Sequence, residues 1–294
     1  MKKSSTRRIS PGMLAALLGP GLAVYAFVII LPLFTAFIYS LTDWSLGPAK
    51  NFVGIQNYIN LVKDDTFWSS LKHNLIIVLA NVTIQMALAF LLTVLFSSKA
   101  TKAQGFHRTV IFLPVVLSAV VVGYIWRMIY SNNYGILNLL LRWLGLERLI
   151  VPWLDDPKVV LASVTVPLIW QYIGVPLIIF MSAVQGIPKD IYEVCELDGV
   201  TGVKKALYIT FPLIKDSIKV AIMLSIASNM LVFTHINVMT GGGPGTSSMV
   251  LAQYAYNVSF VRMQYGYGSA ISIGIFVVSF ALVIIFRKLT EVKE

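Results

Sequence analysis

Cysteine, histidine and charge are what this sequence has least of. The single cysteine, Cys195, excludes an intrachain disulfide and any cysteine-based metal cluster. The three histidines, His73, His107 and His235, stand far apart, without the His-x₃-His or HExxH spacing of a metal site. No GxxxxGK(S/T) loop occurs, so the chain lacks the usual cradle for ATP. Charged residues make up only 12% of the 294 residues, where soluble domains carry about a quarter. With 57% hydrophobic residues and a mean hydropathy of +0.79, that shortfall points to lipid rather than to a large buried core.

What is present in abundance is long apolar runs. Six of them, at about 14–41, 75–96, 110–129, 159–181, 218–239 and 269–286, are each long enough to cross roughly 30 Å of hydrocarbon as a helix. Pro32, Pro114, Pro167 and Pro176 fall inside them; membrane bundles tolerate such prolines, often as kinks. The first run is too long for a signal peptide and is kept as a span. The expected fold class is therefore an all-α integral membrane protein with about six transmembrane helices. Its parts are an N-terminal tail at 1–13, a membrane domain at 14–286 and a C-terminal tail at 287–294.

The formal charge of +10 follows the same pattern. Six spans put both termini and the second and fourth loops on one face. That face collects 15 basic residues, among them Lys2, Lys3, Arg7, Arg8, Lys99, Lys102, Lys204, Lys205 and Lys293, against 8 on the other. The positive-inside rule then places both termini in the cytoplasm of a multi-pass cell-membrane protein. No basic groove interleaved with aromatics accompanies the charge, so nucleic acid is not an expected partner. The two outer loops, 42–74 and 131–158, are long and carry Trp44, Tyr58, Phe67, Trp68, Tyr134, Trp143 and Trp153. Interfacial anchoring and contact with an external protein are both open to them.

Between the fourth and fifth runs lies a polar interruption, DIYEVCELDGVTGVKKALYITFPLI, residues 190–214. Asp190 followed by Glu193 has the form of a capping box. About two helical turns then run to Gly199, a natural C-terminal stop. A second polar piece through Lys204 and Lys205 leads to Pro212. The expected geometry is a short helix, a glycine break and a second short helix under the membrane, suited to docking in a partner's groove.

Polar residues inside spans are costly and face a bundle interior or a watery cavity. Asn74, Asn81 and Gln85 share one face of the second run. Ser225, Ser228, Asn229 and His235 occupy a helical arc of roughly 120° in the fifth. Ser118 marks the third run, and Trp170-Gln171-Tyr172 with Gly174 the fourth. Hydrogen-bonding amides and hydroxyls beside an aromatic face suit a sugar; interhelical hydrogen bonding is the alternative for each residue. His235 reads as structural or as a partner contact, since no intramembrane carboxylate accompanies it.

The segment Glu193-Val194-Cys195-x-x-Asp198-Gly199-Val200, continuing to Ile209-x-Phe211-Pro212, resembles the EAA loop of binding-protein-dependent ABC importers, here at about 188–212. Glu193, Asp198, Gly199, Ile209 and Pro212 match the form E-A-A-x-x-D-G-A…I-x-L-P, while Val194, Cys195, Val200, Ala206 and Phe211 depart from its usual residues. Further pieces are similar to carbohydrate-importer permeases: Phe52-Val53-Gly54-Ile55-x-Asn57-Tyr58, Asp65-x-Phe67-Trp68, Arg108 with Phe112-Leu113-Pro114, Trp153-Leu154-Asp155-Asp156-Pro157 and Ile187-Pro188. Thr240-Gly241-Gly242-Gly243-Pro244 and Tyr265-Gly266-Tyr267-Gly268-Ser269-Ala270 look like the maltose- and glycerol-phosphate-type first permease subunit.

That resemblance implies the type I ABC importer permease fold in a bacterial or archaeal cell membrane, and a subunit that binds no cofactor. ATP and magnesium would be held by two separate ATPase subunits docked at the EAA loop through Glu193, Val194, Cys195, Asp198 and Gly199. A second homologous permease subunit, an extracytoplasmic solute-binding protein and membrane lipid complete the implied partners. A solute path through Ser118, Trp170, Gln171, Tyr172, Gly174, Ser225 and Asn229 is implied by the family's site on the spans flanking the loop. The glycine-rich 241–243 segment reads as a mobile outer loop rather than a phosphate cradle. A self-sufficient secondary transporter is the alternative function; it would need coupling charges in the spans. An integral-membrane enzyme, with Asp155 and Asp156 as its candidate carboxylates, is the third class.

Overall fold

The computed structural model describes residues 11–48, 50–97 and 104–291. Lys2, Lys3, Arg7, Arg8, Lys99, Lys102 and Lys293 of the charge argument lie outside the described residues. Among the described residues the regular structure is helical, apart from one isolated bridge pair, Thr42 and Phe52. The helices are α1 (11–40), α2 (Gln56–Val62), α3 (Asp65–Ser97), α4 (Gln104–Val116), α5 (Ala119–Ile129), α6 (Ile136–Trp143), α7 (Val160–Tyr172) and α8 (Gly174–Gln185). They continue with α9 (Lys189–Leu197), α10 (202–213), α11 (Lys215–Met230), α12 (Thr234–Met239), α13 (251–261) and α14 (Tyr265–Thr290). The chain divides into two compact units: the described residues up to Lys63 with Asn257–Ile273, and Asp64–Tyr256 with the described residues from Gly274 onward.

In the first unit, α1 is apolar on every side, and no residue of its most hydrophobic stretch is buried. Such a helix is stable only where its surroundings are as apolar as its side chains. Its C-terminal carbonyls are closed by Asn57, whose Nδ2 donates to Ser40 O and Thr42 O, both at 2.8 Å. Tyr58 adds a 2.6 Å hydroxyl contact to Ser40 Oγ. The Phe52–Tyr58 segment thus serves to end α1 and turn the chain. Asn51 donates to Asp43 from both its backbone and its amide, which holds that exposed carboxyl below its ordinary range. Gly266 N–H donates to Trp44 O at 2.8 Å, beside the Trp44 and Tyr265 rings, which are tilted by 36° with centres 4.7 Å apart.

The second unit holds two packed clusters. One joins Met86, Ala89 and Phe96 of α3 to Leu177, Phe180 and Met181 of α8 and to Ile218 and Ala221 of α11. The other joins Ile77, Val160, Val164, Leu168, Val232 and Ile236. Lipid tails are as apolar as these side chains, so close packing and hydrogen bonds hold such clusters, not transfer from water.

Straight spans are not what all six apolar runs become. Among the described residues only 16–40, α3 and α14 are single helices long and apolar enough to cross a membrane. The third run folds as α4 and α5, bent by 99° at Leu117–Ser118. The fourth, α7 and α8, is bent by 40° ahead of Pro176, whose missing N–H removes a helical hydrogen bond. The fifth breaks at Leu231–Phe233, leaving α11 with 16 residues and α12 with 6.

Candidate functional site

Each break strands backbone carbonyls and N–H groups, which in hydrocarbon must find protein partners. At the 99° bend, Ser118 caps α5, its Oγ accepting from Val120 N–H at 3.3 Å. Gln171, 1% exposed, donates from Nε2 to Leu117 O at 2.9 Å. Its Oε1 is then the acceptor for His235 Nε2–H at 2.6 Å. One buried amide therefore ties α7 to the bend and to α12. At the fifth-run break Asn74 of α3 plays the same part. Its Nδ2 donates to Asn229 O (3.0 Å) and reaches Met230 O (3.4 Å), while its Oδ1 accepts from Leu251 N–H at 2.8 Å.

Around these breaks a cavity of about 460 Å³ opens within the second unit. Its polar lining is Gln85, Tyr172, Ser225, Ser228, Asn229, Thr234 and His235; Met86, Leu168, Pro176, Leu224, Val232 and Phe233 supply much of the rest. None of the lining side chains is a carboxylate, lysine or arginine. Its walls come from α3, from Ala119 at the start of α5, and from α7, α8, α11 and α12, the last four flanking the α9–α10 element in the chain.

Of the residues expected on a solute path, Tyr172, Ser225 and Asn229 line this cavity. Ser118 and Gln171 are engaged in satisfying the bend instead. Trp170, 39% exposed, lies edge-on to Trp126 with ring centres 5.9 Å apart and does not line the cavity. Gly174 is a packing position: a Cβ there would lie 3.0 Å from Phe112 Cα and 3.2 Å from Ile111 O, so its lack of a side chain lets α8 meet α4. His235 is structural, as its sequence context suggested, yet it also borders the cavity. Gln85, Ser228, Thr234 and Phe233 were not on the expected path; the polar face of the second run was the available signal for Gln85.

The interruption after the fourth run folds as expected in outline. α9 ends in a Schellman turn, with Gly199 N–H on Glu196 O (3.2 Å) and Val200 N–H on Cys195 O (2.8 Å). Gly199 has φ +70°, which a residue with a side chain adopts only with strain. The N-terminus differs from a capping box: Pro188 is the cap residue, and Asp190 sits inside the first turn, where its charge complements the helix dipole. The second helix is also longer than a single turn, running from Gly202 through Pro212 by way of a π turn at Ala206–Thr210. Glu193, Val194, Asp198 and Gly199 are exposed, with Leu197 at 87% and Val203 at 73%. Cys195 faces the other way, 6% exposed, so it lies beneath the outward face rather than on it.

A second, open basin of about 860 Å³ is lined by Arg127, Asn132, Asn133, Asp155, Asn237 and the Thr240–Pro244 segment among others. That glycine-rich segment is tied to itself: Thr240 Oγ1 lies 2.7 Å from Ser248 Oγ, which donates to Gly243 O at 2.6 Å. Trp153 donates from Nε1 to Asn138 Oδ1 at 2.8 Å and stacks on Tyr130. Asp156 Oδ1 accepts from Lys158 N–H at 2.8 Å, an Asx turn leading into α7 rather than a catalytic placement.

No family model matches the chain. Among known proteins it is 33% identical over 271 residues to the probable ABC transporter permease protein YurN of Bacillus subtilis, covering 92% of each. It is 35% identical over 262 residues to the probable ABC transporter permease protein PH1215 of Pyrococcus horikoshii, covering 88% of this chain and 87% of that one. The trehalose/maltose transport system permease protein MalF of Thermococcus litoralis is 31% identical over 279 residues, 94% of this chain and 92% of that protein. Among solved structures, a bacterial alginate ABC transporter in complex with alginate pentasaccharide-bound periplasmic protein superposes with a TM-score of 0.82 at 22% identity, covering 96% of both chains, a likeness of fold. A broken-helix membrane bundle built around a polar cavity, with relatives of this identity along nearly its whole length, belongs to the ABC transporter permease family.

Proposed function

We propose that this chain is the membrane-spanning subunit of an ABC importer that carries a sugar inward, energised by ATPase subunits on separate chains. The observation that supports this best is the uncharged, hydroxyl- and amide-lined cavity between the helices that flank the α9–α10 element. Beside the trehalose/maltose permease, proteins similar to this chain include permeases of diacetylchitobiose and multiple-sugar systems, each 31% identical. In this reading Glu193, Val194, Asp198 and Gly199, with the exposed Leu197, seat in a groove of an ATPase subunit. The element moves as a body when ATP closes the ATPase pair, and the broken helices above it re-form the cavity toward one side or the other. Both termini lie in the cytoplasm, a second permease completes the path, and a solute-binding protein docks on the opposite face. ATP and magnesium stay with the ATPases.

Purification of the tagged chain from its host in mild detergent, with mass spectrometry of the co-eluting proteins, tests this directly. Recovery of a second permease and an ATPase is the expected result, with the ATPase lost when Glu193 and Gly199 are both replaced. Elution alone, together with solute movement in vesicles free of ATP, overturns it in favour of a secondary transporter.

A further inference from the structure

Several buried amides in the second unit are committed to the protein itself. Asn74 and Gln171 bond across helices; Asn81 Nδ2 donates to Ile77 O at 2.9 Å, and Asn229 Nδ2 to Ser225 O at 2.8 Å. Gln85 differs from these four. It is 3% exposed, lines the cavity, and its amide makes no hydrogen bond to any described residue. Its two donors and its acceptor oxygen therefore remain available to a molecule in the cavity.

The backbone that presents it departs from regular α-helix, as it does at three other places among the described residues. Gln85 ends a π turn, Asn81–Gln85, in the middle of α3. Such turns are rare and occur often at functional sites, where the widened backbone re-aims a side chain. The same cavity is lined by Ser225, Ser228 and Asn229 of α11, and by Thr234 beyond the break. These groups can donate to and accept from hydroxyls, but none can neutralise an anion. His235, the one ionisable base on the wall, already spends its Nε2–H on Gln171. An anion placed there would be desolvated at membrane depth without a counter-charge from this chain.

We propose that Gln85 is a direct solute-binding residue and that this cavity takes uncharged polyhydroxyl solutes in preference to anionic ones. The inference rests on the importer reading for its solute, but not for the placement of Gln85. Uptake into proteoliposomes bearing the complete complex, with its binding protein, tests the solute arm. Radiolabelled maltose, trehalose and diacetylchitobiose serve as uncharged probes, with a uronate disaccharide of the same size as the charged one. Gln85→Met, which keeps length and loses hydrogen bonding, raises the KM for the transported sugar by about tenfold or more, equivalent to one lost hydrogen bond of about 1.4 kcal/mol. The complex is recovered in normal amount by size exclusion. An unchanged KM in an intact complex overturns the role of Gln85, and uptake of the uronate as fast as of the neutral probes overturns the charge preference.

A labelling experiment separates these failures from failure of the importer reading. In a Cys195→Ser background, Gln85→Cys reacts with neutral N-ethylmaleimide at least about ten times faster than with an anionic thiosulfonate, after each rate is normalised to free cysteine. Equal rates overturn the charge preference, and no reaction with either reagent overturns the placement of Gln85 at the cavity. If labelling behaves as stated while no uncharged probe is transported, the sugar reading fails, and with it the polyhydroxyl class, while the position and neutral selectivity of Gln85 stand.

Discussion

Two interruptions of helix in this chain solve the same problem in opposite ways. Between α9 and α10 the break is made by Gly199, and its stranded groups are closed by two local backbone bonds, Gly199 to Glu196 and Val200 to Cys195. Between α11 and α12 no glycine or proline is present at Leu231–Phe233. There the local backbone bonds, Leu231 to Ser228 and Val232 to Asn229, are joined by a side chain 155 residues away along the chain, Asn74, which donates to Asn229 O and accepts from Leu251 N–H. A break that faces water can be written locally, because solvent accepts whatever the turn leaves over. A break at membrane depth needs a dedicated partner, and that partner is remote in sequence. The difference also sorts function: the first break presents an outward apolar face at Leu197 and Val203, while the second surrounds a cavity with inward polar groups.

The largest effect expected from breaking this contrast is at Asn74. Asn74→Leu orphans Leu251 N–H and removes the side-chain donor from Asn229 O and Met230 O, a loss of about 3 kcal/mol at roughly 1–3 kcal/mol per buried group. Thermal unfolding of the detergent-solubilised protein should show the midpoint falling by about 10 °C. A fall of less than about 2 °C would mean that the break is held by packing and not by the amide. Next comes Gln171→Leu, which strands Leu117 O and the His235 donor for about 2 kcal/mol. His235→Leu on the same background should add little, because the partner it leaves has already gone; an additive double variant would show that the two side chains act separately.

This contrast also explains which features were legible in the sequence. The lipid environment, the helical class and the α9–Gly199–α10 outline rest on composition, apolar run length and a glycine at a helix end, all local signals. So does Gly199 itself, since only its own φ is at issue. The bend at Leu117–Ser118 and the break at Leu231–Phe233 depend on Gln171 and Asn74, and nothing local in either run announces them. The polar residues did announce a cavity, and Tyr172, Ser225 and Asn229 line it. Ser118 and Gln171 looked the same in sequence and turned out to be committed to the backbone, because an amide that binds solute and one that binds a freed carbonyl differ only in what lies opposite. Trp170 and Gly174 were displaced for a simpler reason: neighbours in sequence on a helix point about 100° apart, so a run of adjacent residues cannot all face one cavity.

The local break yields smaller effects on folding and larger ones on partnership. Gly199→Val forces a β-branched residue to φ near +70°, a cost of about 1–2 kcal/mol. Gly199→Asn, which tolerates that region, should cost a fraction of it. The α9–α10 element is the expected seat of the ATPase, so the valine variant should reduce co-eluting ATPase by about tenfold with the asparagine variant near normal. Equal loss in both would assign the effect to the missing glycine surface and not to the backbone angle.

The smallest expected effect comes from the charges that span the same elbow. Lys205 Nζ lies 3.5 Å from Glu196 Oε1 and 4.5 Å from the centre of the Tyr192 ring, so it links α10 back to α9. Half-exposed pairs of this kind contribute about 0.2–1 kcal/mol and are screened by salt. The backbone bonds of the Schellman turn are not screened. If those bonds set the angle between the two helices, Lys205→Met should leave ATP-driven uptake within about twofold of normal, and raising salt should not widen the gap, since the screened pair is already gone. A loss of more than about fivefold, reproduced in the unmodified protein by high salt alone, would reverse the assignment. The elbow would then be a charge-held joint, open to regulation by ionic conditions, and its resemblance to the buried breaks would be closer than its glycine implies, since both would depend on side chains reaching across the gap.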